Sequence, residues 1–274
     1  MYKLSTRYGE MYMVAVAKLS SYIRDHDIKA LVIGISGGVD SALVAALAKS
    51  ATEYPYKDIP VIGRSITIES NKPEEVARAK AIGEAFCNDF AELDLTKAYC
   101  DLIGQMDMAG DGCTDMEAKI ALGNIKARIR MTQLYHLAGI NKGLVLSTDN
   151  YTELLLGFWT LHGDVGDYGM VQNLWKTEVY GLTKFIADIY RKLDNGAPAE
   201  ALEKCIDAVP TDGLGITDSD LDQLGASSYN EVDKILIDYL NFVDRIDHPV
   251  IDRYERTHFK RENPVNIPRK ELIP

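Results

Sequence analysis

The stretch Ser36-Gly37-Gly38-Val39-Asp40-Ser41 holds residue types that can bind phosphate. Glycines let a backbone come close to a ligand, and the unpaired N–H groups of a turn and a helix start point at an anion. Ser36 and Ser41 add hydroxyl donors. Asp40 is out of place beside phosphates unless a cation such as Mg²⁺ stands between them. The stretch therefore reads as a phosphate site with a metal. It has no Walker lysine after its glycines and no G-x-G-x-x-G spacing. The bland reading is a tight strand–turn–helix with no ligand, which would not require these residue types in this order.

Such a loop needs a strand before it and a helix after it. Leu31 to Ile35 is an apolar run of strand length, and the chain turns Ala- and Leu-rich after Ser41. Upstream, Tyr12, Val16, Leu19, Tyr22 and Ile23 recur at helical spacing within Tyr8–Arg24. Downstream the reading alternates. Strands are expected at Val61–Ile68, Phe90–Leu95 and Gly143–Ser147. Helices are expected from Pro73 to about Phe86, Thr96 to about Met106, Glu117–Ala138 and Leu174–Tyr190. Strands alternating with helices imply βαβ units and a parallel sheet. Asp107–Asp115 has the composition of a mobile loop. Asn195–Asp222, rich in Gly, Pro and Asp, reads as a long irregular segment. Tyr229–Val243 and Pro249–His258 read as helices, and Phe259–Pro274 as a charged, proline-bearing tail.

The chain has 274 residues, a net charge of −11 and 46% apolar residues, enough for a sizeable core. The acidic balance argues against a general nucleic-acid or membrane-surface binder. No apolar run has the length of a membrane span, and Met1-Tyr-Lys-Leu-Ser-Thr-Arg7 is no signal-peptide core. Cys87, Cys100, Cys113 and Cys205 have no C-x-x-C spacing and read as free thiols. A cytoplasmic protein is the expectation.

Several other segments narrow the reading. They are Asn124-Ile-Lys-Ala-Arg-Ile-Arg-Met131, Leu146-Ser-Thr-Asp-Asn-Tyr-Thr-Glu153, Gly157-Phe-Trp-Thr160, Gly163-Asp164, Leu174-Trp-Lys-Thr-Glu-Val-Tyr180, Pro210-Thr211, Thr217-Asp-Ser-Asp-Leu221 and Thr257-His-Phe-Lys-Arg261. The loop resembles the pyrophosphate loop of the N-type ATP pyrophosphatases. The ordered set, from about Ala30 to Arg261, resembles the NAD⁺ synthetase family in its ammonia-dependent form.

That resemblance implies an α/β fold, a Rossmann-like parallel sheet with helices on both faces (adenine nucleotide alpha hydrolase-like) and extra C-terminal helices. It implies one synthetase domain over residues 1–274, no glutaminase domain, and a homodimer with the Glu117 helix as candidate interface. The implied reaction is ATP-dependent amidation of deamido-NAD⁺ by ammonia, through an acyl adenylate, with Mg²⁺ as cofactor.

Residue by residue, the resemblance puts Gly34, Ser36, Gly37, Gly38, Asp40 and Ser41 on the triphosphate. Thr148 and Thr211 contact ATP. Lys176 neutralises the phosphates, and Asp40 and Glu153 hold the metal. Arg128, Asp167 and Lys260 meet the acceptor, with Asp164 in reserve because the chain is one residue shorter here. Asp40 and Lys176 are the catalytic pair.

Three departures stand out. Ser147 replaces a usual glycine, Leu161 a lysine and Phe259 a histidine. The last two remove polarity near the nicotinate, which leaves nicotinate mononucleotide as an alternative acceptor. A different adenylating enzyme of the same loop class and a nucleotide-binding module without turnover are the other readings. Glu153 also fits, only loosely, a capping box with Asn150, and Arg128 a solvated helix face. At the loop edge, Asp40→Ala is expected to abolish turnover and leave the fold nearly intact.

Overall fold

The structure, a computed structural model, describes residues 2–53, 58–69, 71–106, 114–164, 166–210, 220–243 and 246–273. The elements run α1 (Tyr8–Asp25), β1 (Ala30–Gly34), α2 (Val39–Glu53), β2 (Val61–Thr67), α3 (Pro73–Phe86), β3 (Asp89–Asp94) and α4 (Thr96–Ile103). Then come α5 (Asp115–Asn141), β4 (Gly143–Ser147), α6 (Tyr151–Leu156), β5 (Tyr168–Gly169), α7 (Lys176–Lys192) and α8 (Gly196–Ile206). The chain continues through α9 (Asp220–Leu224), α10 (Tyr229–Leu240), α11 (Pro249–Arg256), α12 (His258–Arg261) and α13 (Arg269–Leu272).

The sheet order is β3-β2-β1-β4-β5, with every pair parallel. β1 is buried along almost its whole length, as an apolar run inside a parallel sheet should be. One face carries α1, α2, α3, α7 and α8, which share a core with Leu19, Leu43, Leu47, Phe86, Leu182 and Leu202. α5 covers the other face through Leu134 and Ala138 on Val32, Ile62 and Val145. α6, α9, α10 and α11 form a second apolar cluster around Leu156, Trp175, Leu236 and Val250. The expected architecture is therefore present, C-terminal helices included. Among the described residues, no helix is long and apolar enough to cross a membrane.

After β1 the chain builds outward to β2 and β3, then crosses back to add β4 on the other side of β1. The strand order reverses between β1 and β4. A crevice opens beyond the carboxyl ends of strands at such a point, because the two loops diverge.

The sequence reading differs from the structure in a few places. Asn195–Asp222 is not irregular throughout, since α8 occupies its first half. Gly196 and Pro198 read as breakers, but proline is tolerated in a first turn, where its missing N–H has no partner to lose. Ala199, Ala201, Leu202 and Cys205 then bury one face. The long helix begins at Asp115 rather than Glu117, because Thr114 and Glu117 form a capping box. The short strand β5 and the helices α9, α12 and α13 have no counterpart in the sequence reading. Most of the Asp107–Asp115 loop, with Cys113, lies outside the described residues.

Gly37 has φ +84°, and an added Cβ would lie 2.4 Å from the Glu75 carbonyl oxygen of α3. The turn thus needs glycine both for its backbone and for its neighbour. Gly37→Ala is expected to cost at least about 1–3 kcal/mol from backbone strain alone. Thermal unfolding would read this as a lower midpoint, and an unchanged midpoint would show that the turn relaxes freely.

Candidate active site

β1 stops at Gly34, the chain turns through Ser36 to Gly38, and α2 starts at Val39. Asp40 and Ser41 therefore stand in the first turn of α2. The Ser36 hydroxyl lies 3.1 Å from that of Ser41 and accepts from the Gly38 amide at 3.2 Å. The Ser41 hydroxyl donates to the Gly38 carbonyl at 3.1 Å. Arg78 of α3, itself on the crevice wall, donates from Nε to the Gly37 carbonyl at 2.9 Å and fixes the turn.

Across the crevice, β4 ends at Ser147 and Asn150 caps α6. Its side chain accepts from the Glu153 amide at 3.0 Å, and the Glu153 carboxylate accepts from the Asn150 amide at 3.3 Å. This capping box is complete, and it aims Glu153 at Asp40. Asn150 Nδ2 donates to Asp40 Oδ1 at 2.7 Å, joining the two walls.

Lys176 opens α7. Its Nζ donates to Asp40 Oδ2 at 2.5 Å and to Glu153 Oε1 at 2.8 Å. Its side chain is 4% exposed. Burial works against the ammonium, but the two carboxylates outweigh it and hold the lysine well above its usual pKa. Burial and the nearby Asp40 charge push Glu153 up to about 7. Burial pushes Asp149 well above the carboxylate range, with the charges of Glu153 and Asp164 adding to it.

These groups line a cavity of about 430 Å³. Its wall carries Gly34, Ser36, Gly38, Asp40, Ser41, Thr148, Glu153, Lys176 and Lys260. The crevice between β1 and β4 thus brings together most of the residues singled out from sequence. Gly37 lies behind the wall, in contact with α3. Thr211 is outside the described residues.

Two expected acceptor residues are placed elsewhere. Arg128 is exposed and donates from Nε and Nη2 to the Leu161 carbonyl at 3.3 and 3.2 Å. Its neighbour Arg130, two positions on, lines the cavity instead. Asp167 accepts from the Tyr135 hydroxyl and the Val145 amide, each at 3.0 Å, and ties β4 to the chain before β5. Asp164 lines the cavity, with one oxygen accepting from the Thr160 amide at 2.7 Å. Lys260 of α12 reaches the wall, where its Nζ donates to the carbonyls of Gly157 and Trp159 at 2.7 and 2.5 Å. The side chains of Leu161 and Phe259 are not on the wall.

Sequence reasoning missed Arg78, Asn150 as a partner of Asp40, and Asp149. Asn150 had a signal, its capping-box spacing to Glu153. Arg78 had none, because its partner is a backbone carbonyl 41 positions away.

Asp40 and Glu153 could hold a cation. They offer only hard oxygen donors, and they already converge on one ammonium. Among the described residues, no group of three or more His, Cys, Asp or Glu is gathered to hold a metal. A magnesium site of two carboxylates completed by phosphates and water fits such a donor set.

The sequence model of the NAD synthase family matches residues 11–264. The chain is 32% identical to the NH(3)-dependent NAD(+) synthetase of Mycoplasmopsis pulmonis, over 98% of this chain and 92% of that protein. It is 33% identical to that of Methanocaldococcus jannaschii, over 84% and 82%. The solved NMN synthetase of Francisella tularensis matches with a TM-score of 0.76 at 24% identity, over 97% of this chain and 99% of that one. The NH3-dependent NAD synthetase of Campylobacter jejuni matches at 0.70 and 21%, over 95% and 99%. At these identities the two structures bear on the fold.

Proposed function

This chain belongs to the NAD synthase family, and we propose that it amidates the nicotinate carboxylate of deamido-NAD⁺ with ammonia, releasing AMP and pyrophosphate. Membership makes it an ATP-using ligase that forms a C–N bond. The observation that carries the finer reading is the Lys176 ammonium, buried between Asp40 and Glu153 at the mouth of the glycine turn.

In the first step a carboxylate oxygen of nicotinate bonds to the α-phosphorus of ATP, and the bond from that phosphorus to the bridging oxygen breaks. Pyrophosphate leaves. In the second step the ammonia nitrogen bonds to the acyl carbon, AMP leaves, and one proton is lost. Neither step needs a protein nucleophile. The chain contributes alignment and charge.

The turn amides and the α2 N-terminus would hold the departing phosphates, with Ser36 and Ser41 turning their hydroxyls from each other to the ligand. Lys176 would meet the charge that grows on the bridging oxygen, as a compact ammonium can. Thr148, at the strand end, would set the nucleotide. Asp40 and Glu153 would hold Mg²⁺ with phosphate oxygens, and the bound ion would screen the phosphate charge. Asp164 and Arg130 lie where an acceptor would pass, and we assign them that contact in place of Asp167 and Arg128. A homodimer remains part of the proposal, through the family resemblance.

The test is parallel turnover. Purified protein with ATP, Mg²⁺ and ammonium should form AMP, pyrophosphate and NAD⁺ from deamido-NAD⁺. Nicotinate mononucleotide is the second arm. If AMP forms with neither acceptor, the reading fails.

Lys260 gives a pH prediction. Burial, helped by Arg253, pushes its ammonium down to about 8. If Lys260 grips an acceptor anion, KM for the acceptor should rise as pH passes through about 8. Lys260→Met should remove that step. The stability sign is opposite. The folded value lies below the ordinary 10.5, so between the two the unfolded chain binds more protons and stability rises with pH. A KM rise in that window is therefore not unfolding. A flat KM would sink the assignment of Lys260.

A further inference from the structure

Asp233 has no place in the reaction just described, yet it is fully buried on α10. An ionised carboxylate survives burial only with donors around it. Asp233 has three. Oδ1 accepts from the Thr152 hydroxyl at 2.5 Å. Oδ2 accepts from the Thr177 amide at 2.9 Å and from the Thr177 hydroxyl at 2.7 Å. The Thr152 oxygen in turn accepts from the Lys176 amide at 2.9 Å.

The two threonines are not arbitrary partners. Thr152 directly precedes Glu153 on α6. Thr177 directly follows Lys176 at the start of α7. One carboxylate therefore grips the residue beside each member of the buried ion pair. α6 and α7 start in different parts of the chain, and besides this carboxylate their N-termini are joined by the Tyr151 amide donating to the Leu174 carbonyl at 2.8 Å, by the Lys176–Glu153 ion pair itself and by apolar packing around Leu155, Leu156 and Trp175. Apolar contacts are not directional and tolerate sliding, whereas three hydrogen bonds to one rigid carboxylate do not.

We propose that Asp233 is a positioning residue that sets Lys176 against Glu153 through Thr152 and Thr177, so that the C-terminal helices take part in aligning the phosphate site. The proposal rests on the ligase reading only for its kinetic readout. Its geometric content concerns the N-terminus of α7 with no ligand bound.

The experiment uses Asp233→Asn and Thr152→Val in the full chain. Asn keeps the shape but has no charge and one acceptor oxygen fewer, so it cannot accept from both threonines. Val keeps the bulk of Thr152 and removes the shared hydroxyl, and it decides the matter if Asp233→Asn does not fold. Each variant should lower kcat by about 100-fold, the effect of a misplacement of about 1 Å at a reacting group. KM for ATP should stay within about threefold, since the turn amides are untouched.

A second readout needs no substrate. The protein has two tryptophans, Trp159 and Trp175. In a Trp159→Phe background the emission of Trp175, buried next to Lys176, should shift on either substitution. Folded variants with kcat within about twofold of the parent and unshifted Trp175 emission would overturn the proposal. If the parent enzyme makes no product, the ligase reading fails on its own, and the Trp175 emission alone decides the role of Asp233.

Discussion

Replacing Lys176 with methionine is expected to lower kcat by about 100- to 1,000-fold, the usual loss when one preorganised donor is removed from a site of growing negative charge. Methionine keeps most of the length of the side chain and none of the charge. The same change should destabilise the fold. Asp40 and Glu153 would then face each other with no cation between them, and breaking a buried pair from one side costs about 3–5 kcal/mol. Their side chains are 15% and 17% exposed, so the lower end of that range is expected.

The pH dependence has a definite sign. Without the ammonium, the Glu153 carboxyl moves further above its ordinary 4.5. A group held above its unfolded value loses its contribution as pH rises from that value upward. The variant should therefore recover part of its stability below pH 5 and lose most near neutrality. Single-turnover AMP release and thermal melts across pH would check both halves. Parental kcat in the variant would remove Lys176 from the chemistry.

Asp40→Asn is the second large effect. The amide keeps the size of the side chain and can still meet one of its two partners, Asn150 Nδ2 or the Lys176 ammonium. It cannot meet both as a charge. We expect a loss of about 100-fold or more in kcat, with a smaller fall in melting temperature than for Lys176→Met. The sequence expectation that Asp40→Ala leaves the fold nearly intact does not match the geometry. Asp40 is held by Asn150 across the crevice and by Lys176 of α7, so alanine would leave a buried amide and a buried ammonium each short of an acceptor. The double variant Asp40→Asn, Lys176→Met should lose far less than the product of the two single losses, because the pair acts as a unit. Independent, multiplying losses would show that the two residues serve different steps.

What could be read from the sequence followed the range of the forces involved. The turn Ser36–Ser41 was legible because its glycines, hydroxyls and helix start are neighbours in the chain. β1, β4 and α3 were legible because an apolar run or a proline with acids in the first turn is a local signal. α8 was not, because Gly196 and Pro198 spoke louder than the buried Ala199 and Leu202. Which of two arginines faces the crevice could not be read either. Arg128 and Arg130 sit on one helix, and their directions depend on distant partners, the Leu161 carbonyl for Arg128 and the Ile66 carbonyl with Asn71 for Arg130. Asp233 was invisible for a similar reason. An aspartate beside Lys234 looks solvated until Thr152 of α6 and Thr177 of α7 close over it.

The order of β1 and β4 in the sheet has a consequence for how the enzyme comes into being. Asp40 is separated by 110 residues from Asn150 and by 136 from Lys176. At about 5–20 residues per second of synthesis, the turn waits on the order of ten seconds before its partners leave the ribosome. Contacts of such long range also slow folding, because loop-closure entropy is lost before they form. Throughout that interval Asp40 has neither its Asn150 nor its Lys176 partner. A nascent chain can thus meet ATP with no arranged charge to cleave it, and the site is assembled only once α7 has been made.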